Sequence, residues 1–377
     1  MSSSQELYNR LIATIGALVQ VSHISHLDNW MWIVVGILQS NSLALSQIAL
    51  YIPKPANAES RVTTIRRWLR DPHIKVWALY RPVLEKVLTG WRAAEATVIL
   101  DGVEVFGGRL QIFRLSLRHG CRAIPLVWTV TPGQGLTQVA KLETMLTQAA
   151  MFLQPRVKSV RFLADRGFRD CDWAILCLKL GWNYDIRVAN NTIVDIDLQL
   201  SCGIDELGVC HGQRRYFQQV HLTREAQLPT NLSVTWTTGD ARHAPELLAV
   251  ISNQSAGPQR LKAYDQRTSI EQSFRDDQSG GFDMEHTRLQ RPEQLECLLL
   301  ALSIATLWCH ELGEYVLAEG EACRREIDPG PTRELSLFQL GLRWLKRCVS
   351  TNMDRLPGFN ARLSPIRLAP VVKSAKS

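Results

Sequence analysis

A change of hydrophobic period near residue 97 constrains the fold more than any other feature of the chain. Three strand-like runs follow it, separated by Gly-rich or His-Gly turns: VILDGVEV, RLQIFRLSL and CRAIPLVWTV. A helix pattern then gives way to strand, helix and strand: LTQVAKLETMLTQAAMFL, VRFLA, CDWAILCLKLG and YDIRVA. Three strands of alternating direction, followed by alternating helices and strands, predict an α/β core.

The stretches on either side of this core differ from it in pattern. Residues 1–92 have helical apolar spacing, whereas residues 191–246 contain short β-prone pieces rich in Gly, Thr and Gln. The run LLAVIS then returns to the core as a strand, and a long leucine-rich helix follows it. We predict four parts: a helical N-terminal domain (1–92), a core domain (93–310), a β-rich insertion within that core (191–246), and a C-terminal helical region with a basic, loop-like tail (311–377).

Two short helix patterns in the N-terminal part, LSQIALYI and SRVTTIRRWLRD, are separated by the helix breaker PKPANAE. Ser60 is placed to cap the second helix, which carries the basic residues Arg66, Arg67 and Arg70. The pair resembles a helix-turn-helix, whose second helix enters the major groove of DNA. A basic, solvated helix within a bundle is the alternative interpretation of the same residues.

Composition limits the partners and the compartment. The 377-residue chain has a net charge of +7 and a pI near 9.0, which suits a polyanionic partner. Its nine cysteines include no Cys-x2-Cys pair, which argues against zinc and favours thiols in a reducing cytosol. The apolar run from Trp30 to Leu38 is too short to span a bilayer, and no signal peptide opens the chain. We therefore expect a cytoplasmic protein without a membrane partner.

The segment YDQRTSIEQSFRDDQ holds the most specific polar pattern, Tyr264-x2-Arg267-x3-Glu271-x6-Gln278. On one continuous α-helix, this spacing places all four side chains on the same face. A phenol, a guanidinium, a carboxylate and an amide on one stripe suit a phosphate and a metal ion better than a hydrophobic core. The alternative is an ordinary solvated helix face.

This pattern resembles the Tyr-(2)-Arg-(3)-Glu-(6)-Lys signature of bacterial insertion-sequence transposases of the insertion sequence 4 family. The resemblance covers about residues 97–310, and Gln278 stands where the signature has lysine. It implies an α/β fold with an RNase H-like catalytic core and an all-β insertion, preceded by a helical DNA-binding domain. It also implies a cut-and-paste enzyme whose Asp-Asp-Glu triad cleaves and joins DNA.

Three carboxylates match the triad of that family: Asp101, Asp165 and Glu271. Asp101 ends the apolar run TVIL at an expected turn into Gly102, and Asp165 follows VRFLA and opens the block DRGF. The family's strand order pairs these two strands, which places the two aspartates side by side. Adjacent carboxylates repel each other unless cations bind them, and two Mg²⁺ ions, or Mn²⁺ in their place, suit such oxygen ligands. Taken alone, an Asp before Gly is a common turn residue.

The resemblance implies DNA contacts for the other residues of the pattern. Arg267 binds a phosphate near the metal ions, and Tyr264 hydrogen-bonds the same DNA backbone. A helix salt bridge with Glu271 is the structural alternative for Arg267. Gln278 retains hydrogen-bonding groups but lacks the charge of the signature lysine, and Arg275 is the candidate to replace that charge.

The β-rich insertion carries further candidates. Trp236, in the run VTWTT, corresponds to an insertion-domain tryptophan that stacks on a flipped base during hairpin formation in related enzymes. A packed strand residue is the alternative for this tryptophan. Arg214 and Arg215 are candidates for contact with the DNA backbone.

These residues support three functional hypotheses. The first is a metal-dependent transposase that cuts the terminal inverted repeats of its own insertion sequence and joins the ends to target DNA, through a hairpin. The resemblance implies a homodimer on double-stranded DNA, associated with the bacterial nucleoid. The second, motivated by Gln278, is a catalytically inactive, transposase-derived DNA-binding protein or repressor. The third is an RNase H-like nuclease of repair or recombination, which needs no inverted-repeat specificity.

Overall fold

Helices form the N-terminal part of the protein in a computed structural model, which describes residues 2–91, 95–120, 122–133, 139–168, 171–196, 200–223, 226–239, 244–278 and 281–364. They are α1 (Ser3–Leu18), α2 (Ile24–Ser40), α3 (Leu45–Ala49), α4 (Ala58–Leu69) and α5 (Val76–Val87). This part is helical, as predicted. The predicted cap of α4 was wrong by three residues: the side chain of Asn57 accepts a hydrogen bond from the Ser60 N–H at 2.7 Å, because Ser60 already lies inside the helix.

The core follows the predicted order of strands and helices. Its elements are β1 (Glu95–Val105), β2 (Leu110–His119), β3 (Arg122–Pro132), α6 (Val139–Leu153), β4 (Ser159–Ala164), α7 (Cys171–Lys179) and β5 (Asn183–Val188). The strands β1, β2 and β3 form an antiparallel meander, while β4 and β5 run parallel to β1 on its other side. The resulting order β3-β2-β1-β4-β5 is that of an RNase H-like sheet, so the predicted fold class is confirmed.

The β-rich segment after β5 extends this sheet. Its strands are β6 (Ile193–Ile196), β7 (Leu200–Gly203), β8 (Arg214–Leu222) and β9 (Leu228–Trp236), and β10 (Leu247–Ser252) follows them. The run LLAVIS is β10, as expected, and it pairs antiparallel with both β5 and β9. The inserted strands therefore continue the core sheet to ten strands in the order β3-β2-β1-β4-β5-β10-β9-β8-β6-β7.

The remaining elements are helices: α8 (Pro258–Tyr264), a 3₁₀ turn (Asp265–Arg267), α9 (Thr268–Asp277), α10 (Pro292–Ala318), α11 (Glu321–Arg325) and α12 (Leu337–Thr351). The expected loop-like character after Gly320 is wrong for α12, whose apolar face is buried on α10. The two helices approach closely at Gly341, where an added Cβ would lie 1.7 Å from the carbonyl oxygen of Cys309. The expected tail beyond residue 364 lies outside the described residues.

The helix α10 is a core helix. By length and composition alone it is apolar enough to cross a membrane. However, 89% of its most apolar window is buried inside the fold, against β3 and several helices. Its hydrophobicity is explained by this packing.

Two buried ion pairs fasten α9 to the meander. Asp277 pairs with Arg114 of β2, and both side chains are almost fully buried. Asp276 pairs with Arg122 of β3 at 3.1 Å. Between these pairs and the start of the helix, the Ser273 hydroxyl donates to the carbonyl of Ala123 at 2.8 Å. The helix is thus held to the sheet by polar contacts at several points along one side.

We expect Asp277→Asn to destabilise the protein by roughly 3–5 kcal/mol, because it leaves the Arg114 guanidinium buried without its counter-charge. Chemical unfolding followed by circular dichroism measures this change. The control is Arg81→Ala, since Arg81 is 56% exposed and its pair with Glu85 spans 3.8 Å; its effect should stay within about 0.5 kcal/mol. Equal stability of the two variants would contradict the structural role of the buried pair.

Candidate active site

The sheet brings Asp101 and Asp165 side by side. Leu100 of β1 pairs in parallel register with Ala164 of β4, and each aspartate is the next residue. Asp165 follows the carboxyl end of β4, and its side chain is partly exposed to solvent. The sequence suggested that Asp101 precedes a turn. This expectation was wrong, because β1 continues to Val105 through its pairing with β2.

Gly102 is therefore a strand residue opposite Phe113 of β2. A Cβ added at Gly102 would lie 2.9 Å from the Phe113 ring, so the glycine makes room for that ring. The glycine after Asp101, which suggested a turn, is therefore explained by this close approach between neighbouring strands.

The Arg267 side chain lies among all three predicted carboxylates. Its Nη1 atom is 3.1 Å from Oδ2 of Asp101, and its Nη2 atom is 3.9 Å from Oδ2 of Asp165. The same Nη2 atom donates to Oε1 of Glu271. One guanidinium thus compensates three negative charges that arise from β1, from the end of β4 and from the first turn of α9.

The prediction of one continuous helix across the signature was wrong. Tyr264 ends α8, Arg267 lies in the 3₁₀ turn, Glu271 lies in α9, and Gln278 follows the last residue of α9. The two halves pack on separate apolar clusters. Tyr264 packs with Leu248, Val250 and Leu261, whereas Ile270 and Phe274 of α9 pack with Ile99, Ala123 and Leu163. The 3₁₀ turn joins these two packing sites, and Arg267 projects from it.

Asp165 has further partners that the sequence analysis did not identify. The Tyr264 hydroxyl donates to its Oδ1 atom at 3.0 Å, and the Arg166 backbone N–H donates to the same atom at 2.7 Å. Arg187 of β5 lies 3.9 Å from Oδ1 and holds Glu246 at 2.8 Å. A charged residue inside the apolar run YDIRVA was the sequence signal for Arg187. Glu246 gave no comparable signal, because its role depends on the pairing of β10 with β5.

The two aspartates have pKa values displaced in opposite directions. Burial raises the pKa of Asp101 to about 6, and the charges of Asp165 and Glu271 add to this shift, against the opposing effect of Arg267 and the Gly102 N–H. Burial alone would raise the pKa of Asp165 too, but Arg267, the Arg166 N–H, Arg187 and Tyr264 together lower it. Neighbouring carboxylates with divergent pKa values are typical of functional sites.

The donor set suits a divalent cation in its chemistry. Carboxylate oxygens are the hard ligands that Mg²⁺ and Mn²⁺ prefer, and three of them converge here on one cationic group. Within the described ranges, no group of His, Cys, Asp or Glu side chains is spaced to hold a metal ion as it stands. The Arg267 guanidinium contacts each of the three carboxylates.

The other predicted residues lie outside this cluster. Arg275 is exposed on α9, one turn beyond Glu271. Trp236 is partly buried; its ring stacks on His211 with a centroid distance of 3.9 Å, and its N–H donates to the Val209 carbonyl at 2.7 Å. These contacts favour the packed-residue interpretation of the tryptophan.

The basic candidates are exposed. They are Arg66, Arg67 and Arg70 on α4, and Arg214 and Arg215 on β8. Arg215 also donates to the Leu207 carbonyl at 3.1 Å.

Residues 137–308 match the family model of the transposase DDE domain. This part of the chain is therefore similar to a transposase DDE domain. The matched region contains Asp165, Arg267 and Glu271, and it begins after Asp101. Transposases of this class are enzymes that cleave and join DNA strands, and they generally use divalent metal ions. The resemblance to insertion sequence 4 transposases is consistent with this match.

Several solved structures align with the chain, among them the two that follow, whereas no curated protein sequence matches it. The piggyBac transposase synaptic complex with hairpin DNA aligns at a TM-score of 0.44 and 10% identity, over 93% of this chain and 78% of that chain. The Argonaute of Marinitoga piezophila with guide RNA and target DNA aligns at a TM-score of 0.23 and 10% identity, over 67% of this chain and 34% of that chain.

We expect Tyr264→Phe to lower the rate of DNA cleavage at least about tenfold, because a hydrogen bond to a charged group is worth about 1.5–3 kcal/mol. The variant removes only the hydroxyl that donates to Asp165. Single-turnover cleavage measures the rate. The control is Tyr216→Phe, at a 37% exposed position on β8. A Tyr264→Phe rate within twofold of wild type would show that this hydrogen bond does not support the reaction.

Proposed function

We propose that this transposase cuts DNA at the terminal inverted repeats of its own insertion sequence and transfers the ends to target DNA by a cut-and-paste route. The observation that carries the proposal is the convergence of Asp101, Asp165 and Glu271 on the Arg267 guanidinium. Three carboxylates from separate elements meet near the carboxyl end of β4, where a DNA backbone can reach them. A purely structural role does not require this concentration of charge.

In this proposal the three carboxylates hold two Mg²⁺ ions, or Mn²⁺ in their place. When bound, such ions activate the attacking oxygen and stabilise the leaving oxygen of phosphoryl transfer. Arg267 then turns from the carboxylates to a phosphate oxygen of the DNA, for which its forked guanidinium is suited. Tyr264 and Arg187 orient Asp165 through the contacts that they already make.

The hairpin route in this proposal involves Trp236 of the β-rich insertion. Trp236 is the register partner of Leu247, whose neighbour Glu246 bonds Arg187 beside Asp165. The tryptophan is therefore connected to the carboxylates through Glu246 and Arg187. At this position a base flipped from the cut end could stack on it. Such stacking requires that the His211 ring, which now covers the indole, move aside.

The remaining parts of the proposal concern DNA binding and assembly. Residues 1–92 act as the DNA-binding domain, with Arg66, Arg67 and Arg70 on α4 facing the duplex. Residues 93–310 form the catalytic domain, and residues 191–246 form its insertion. The enzyme works as a homodimer on the paired transposon ends, in the cytoplasm and associated with the nucleoid.

The deciding experiment is cleavage of a labelled duplex that carries the terminal repeat flanking the gene, with Mg²⁺ and with Mn²⁺. We expect a nick at the repeat boundary followed by a hairpin. Asp165→Asn should bind the duplex and leave it uncut, because it removes one of the charges that hold the cations. Asp205→Asn, at an exposed position, is the matched control.

Other outcomes would point to the other hypotheses. Equal cleavage by Asp165→Asn and wild type would contradict the triad. Specific binding by wild type without any cut would favour an inactive, transposase-derived DNA-binding protein. Cleavage of unrelated duplexes at an equal rate would favour an RNase H-like nuclease.

The missing signature lysine gives a separate prediction. Gln278→Lys should tighten DNA binding and steepen the dependence of log affinity on log salt by about 1, because it adds one phosphate contact. Arg275→Gln should flatten that slope by about 1 if Arg275 supplies the missing charge. Fluorescence anisotropy over a salt series measures both slopes. Arg325→Gln is the control, since its side chain is 59% exposed on α11. An unchanged slope for Arg275→Gln would exclude it as the replacement.

A further inference from the structure

An open groove separates the N-terminal helices from the segment that follows α9. One wall is formed by residues 40–47 and by α4, and the other by the turn 283–288. We call this cleft of about 670 Å³ the polar groove. Serine, threonine, asparagine, glutamine, histidine, arginine and aspartate side chains line it, together with the apolar side chains of Ala44, Leu45 and Val62. A second open groove along α4 also has Arg66 in its lining, together with Arg67, Arg70 and Asp71.

The arginines that line these two grooves outnumber the acids, which are Asp71 and Asp283. Arg66, Arg67 and Arg70 of α4 have no acidic partner within the described part of the chain, nor does Arg288 on the opposite wall. The acid of the turn, Asp283, is engaged by His286 at 2.6 Å. Exposed guanidiniums without counter-charges on both walls favour a negatively charged occupant.

A buried hydroxyl points to the same kind of occupant. Thr287 lines the polar groove, its side chain is 5% exposed, and its Oγ1 atom has no hydrogen-bond partner in the described structure. A hydroxyl left without a partner at such a position costs free energy. Because the Oγ1 atom is shielded from solvent, a phosphate oxygen in the groove would accept its hydrogen bond, and remove this cost, once the side chain turns toward the groove.

The wall that carries Thr287 and Arg288 is joined to the catalytic helix. The Phe282 N–H donates to the Asp276 carbonyl at 3.2 Å, and the Asp283 N–H donates to the Gln278 carbonyl at 2.9 Å. These bonds tie the turn to the end of α9, the helix that carries Glu271. A ligand held across the groove would therefore bridge α4 and the end of this helix.

We infer that the polar groove binds a backbone phosphate of duplex DNA between Arg66 of α4 and the Thr287–Arg288 turn. This inference rests on the proposed function, since it assigns a second contact of the same DNA. Most hydrogen bonds from proteins to DNA go to phosphate and sugar, from arginine and from hydroxyl groups, and they fix position and register. Arg288 thus supplies a positive charge close to the end of α9, where Gln278 stands in place of the signature lysine.

The test is anisotropy of a fluorescein-labelled duplex of mixed sequence, over a salt series, with Arg66→Gln, Arg288→Gln and Thr287→Val. A mixed sequence suffices because phosphate contacts are independent of base sequence. Each arginine variant should lose roughly tenfold in affinity and lower the salt slope by about 1. Thr287→Val should weaken binding while leaving the melting temperature equal or higher, because the unliganded protein loses only an unpaired hydroxyl. The control is Arg325→Gln.

The outcomes separate this site from the proposed function. If Thr287→Val and Arg288→Gln bind as wild type does while Arg66→Gln binds weakly, α4 contacts DNA alone and the shared site is overturned. Unchanged binding by all three variants overturns it as well. If the variants with unchanged DNA binding still cleave the terminal repeat, the proposed function is retained although the shared site is overturned. If wild type binds no duplex at all, both proposals fail.

Discussion

Three carboxylates close together repel one another, and the folded site depends on the Arg267 guanidinium, which contacts all three of them. At the effective dielectric of a protein surface, two unit charges 4 Å apart interact by about 4 kcal/mol. Arg267 meets Asp101, Asp165 and Glu271 at once, so it stabilises a cluster that the sheet topology alone would make unfavourable. The break between α8 and α9 follows from this requirement, because Arg267 must project from a point that neither packed helix occupies.

The meander fixes the position of Glu271, because α9, which carries this residue, is bound to β2 and β3. The buried pairs of Asp276 and Asp277 with arginines of β3 and β2 oppose both sliding and rotation of α9. Burial raises the pKa of Asp276 to about 7 in spite of the nearby Arg122, so this pair is costly to keep charged. Such pairs add little net stability but are hard to break one partner at a time. They favour one placement of the helix, and with it one placement of Glu271, over alternatives.

Much of the fold could be predicted from the sequence, because strand and helix periods are local properties. The meander, the alternation after it, β10 and the parallel pairing that brings Asp101 beside Asp165 all followed from pattern and resemblance. The site was less accessible. Arg187 and Glu246 become neighbours of Asp165 only through the pairing of β10 with β5, and no local pattern encodes that register. The 3₁₀ turn was missed for a similar reason, since two distant apolar clusters fix the helices on either side of it.

The continuity of the ten-stranded sheet makes the β-rich segment an integral part of the core. All six residues of β10 are buried, and its backbone is hydrogen-bonded on both sides. Excision of β6–β9 would turn this hydrophobic strand into an exposed edge, an open template for pairing with other chains. Loss of the segment would therefore lower solubility, apart from any contact that the segment makes itself.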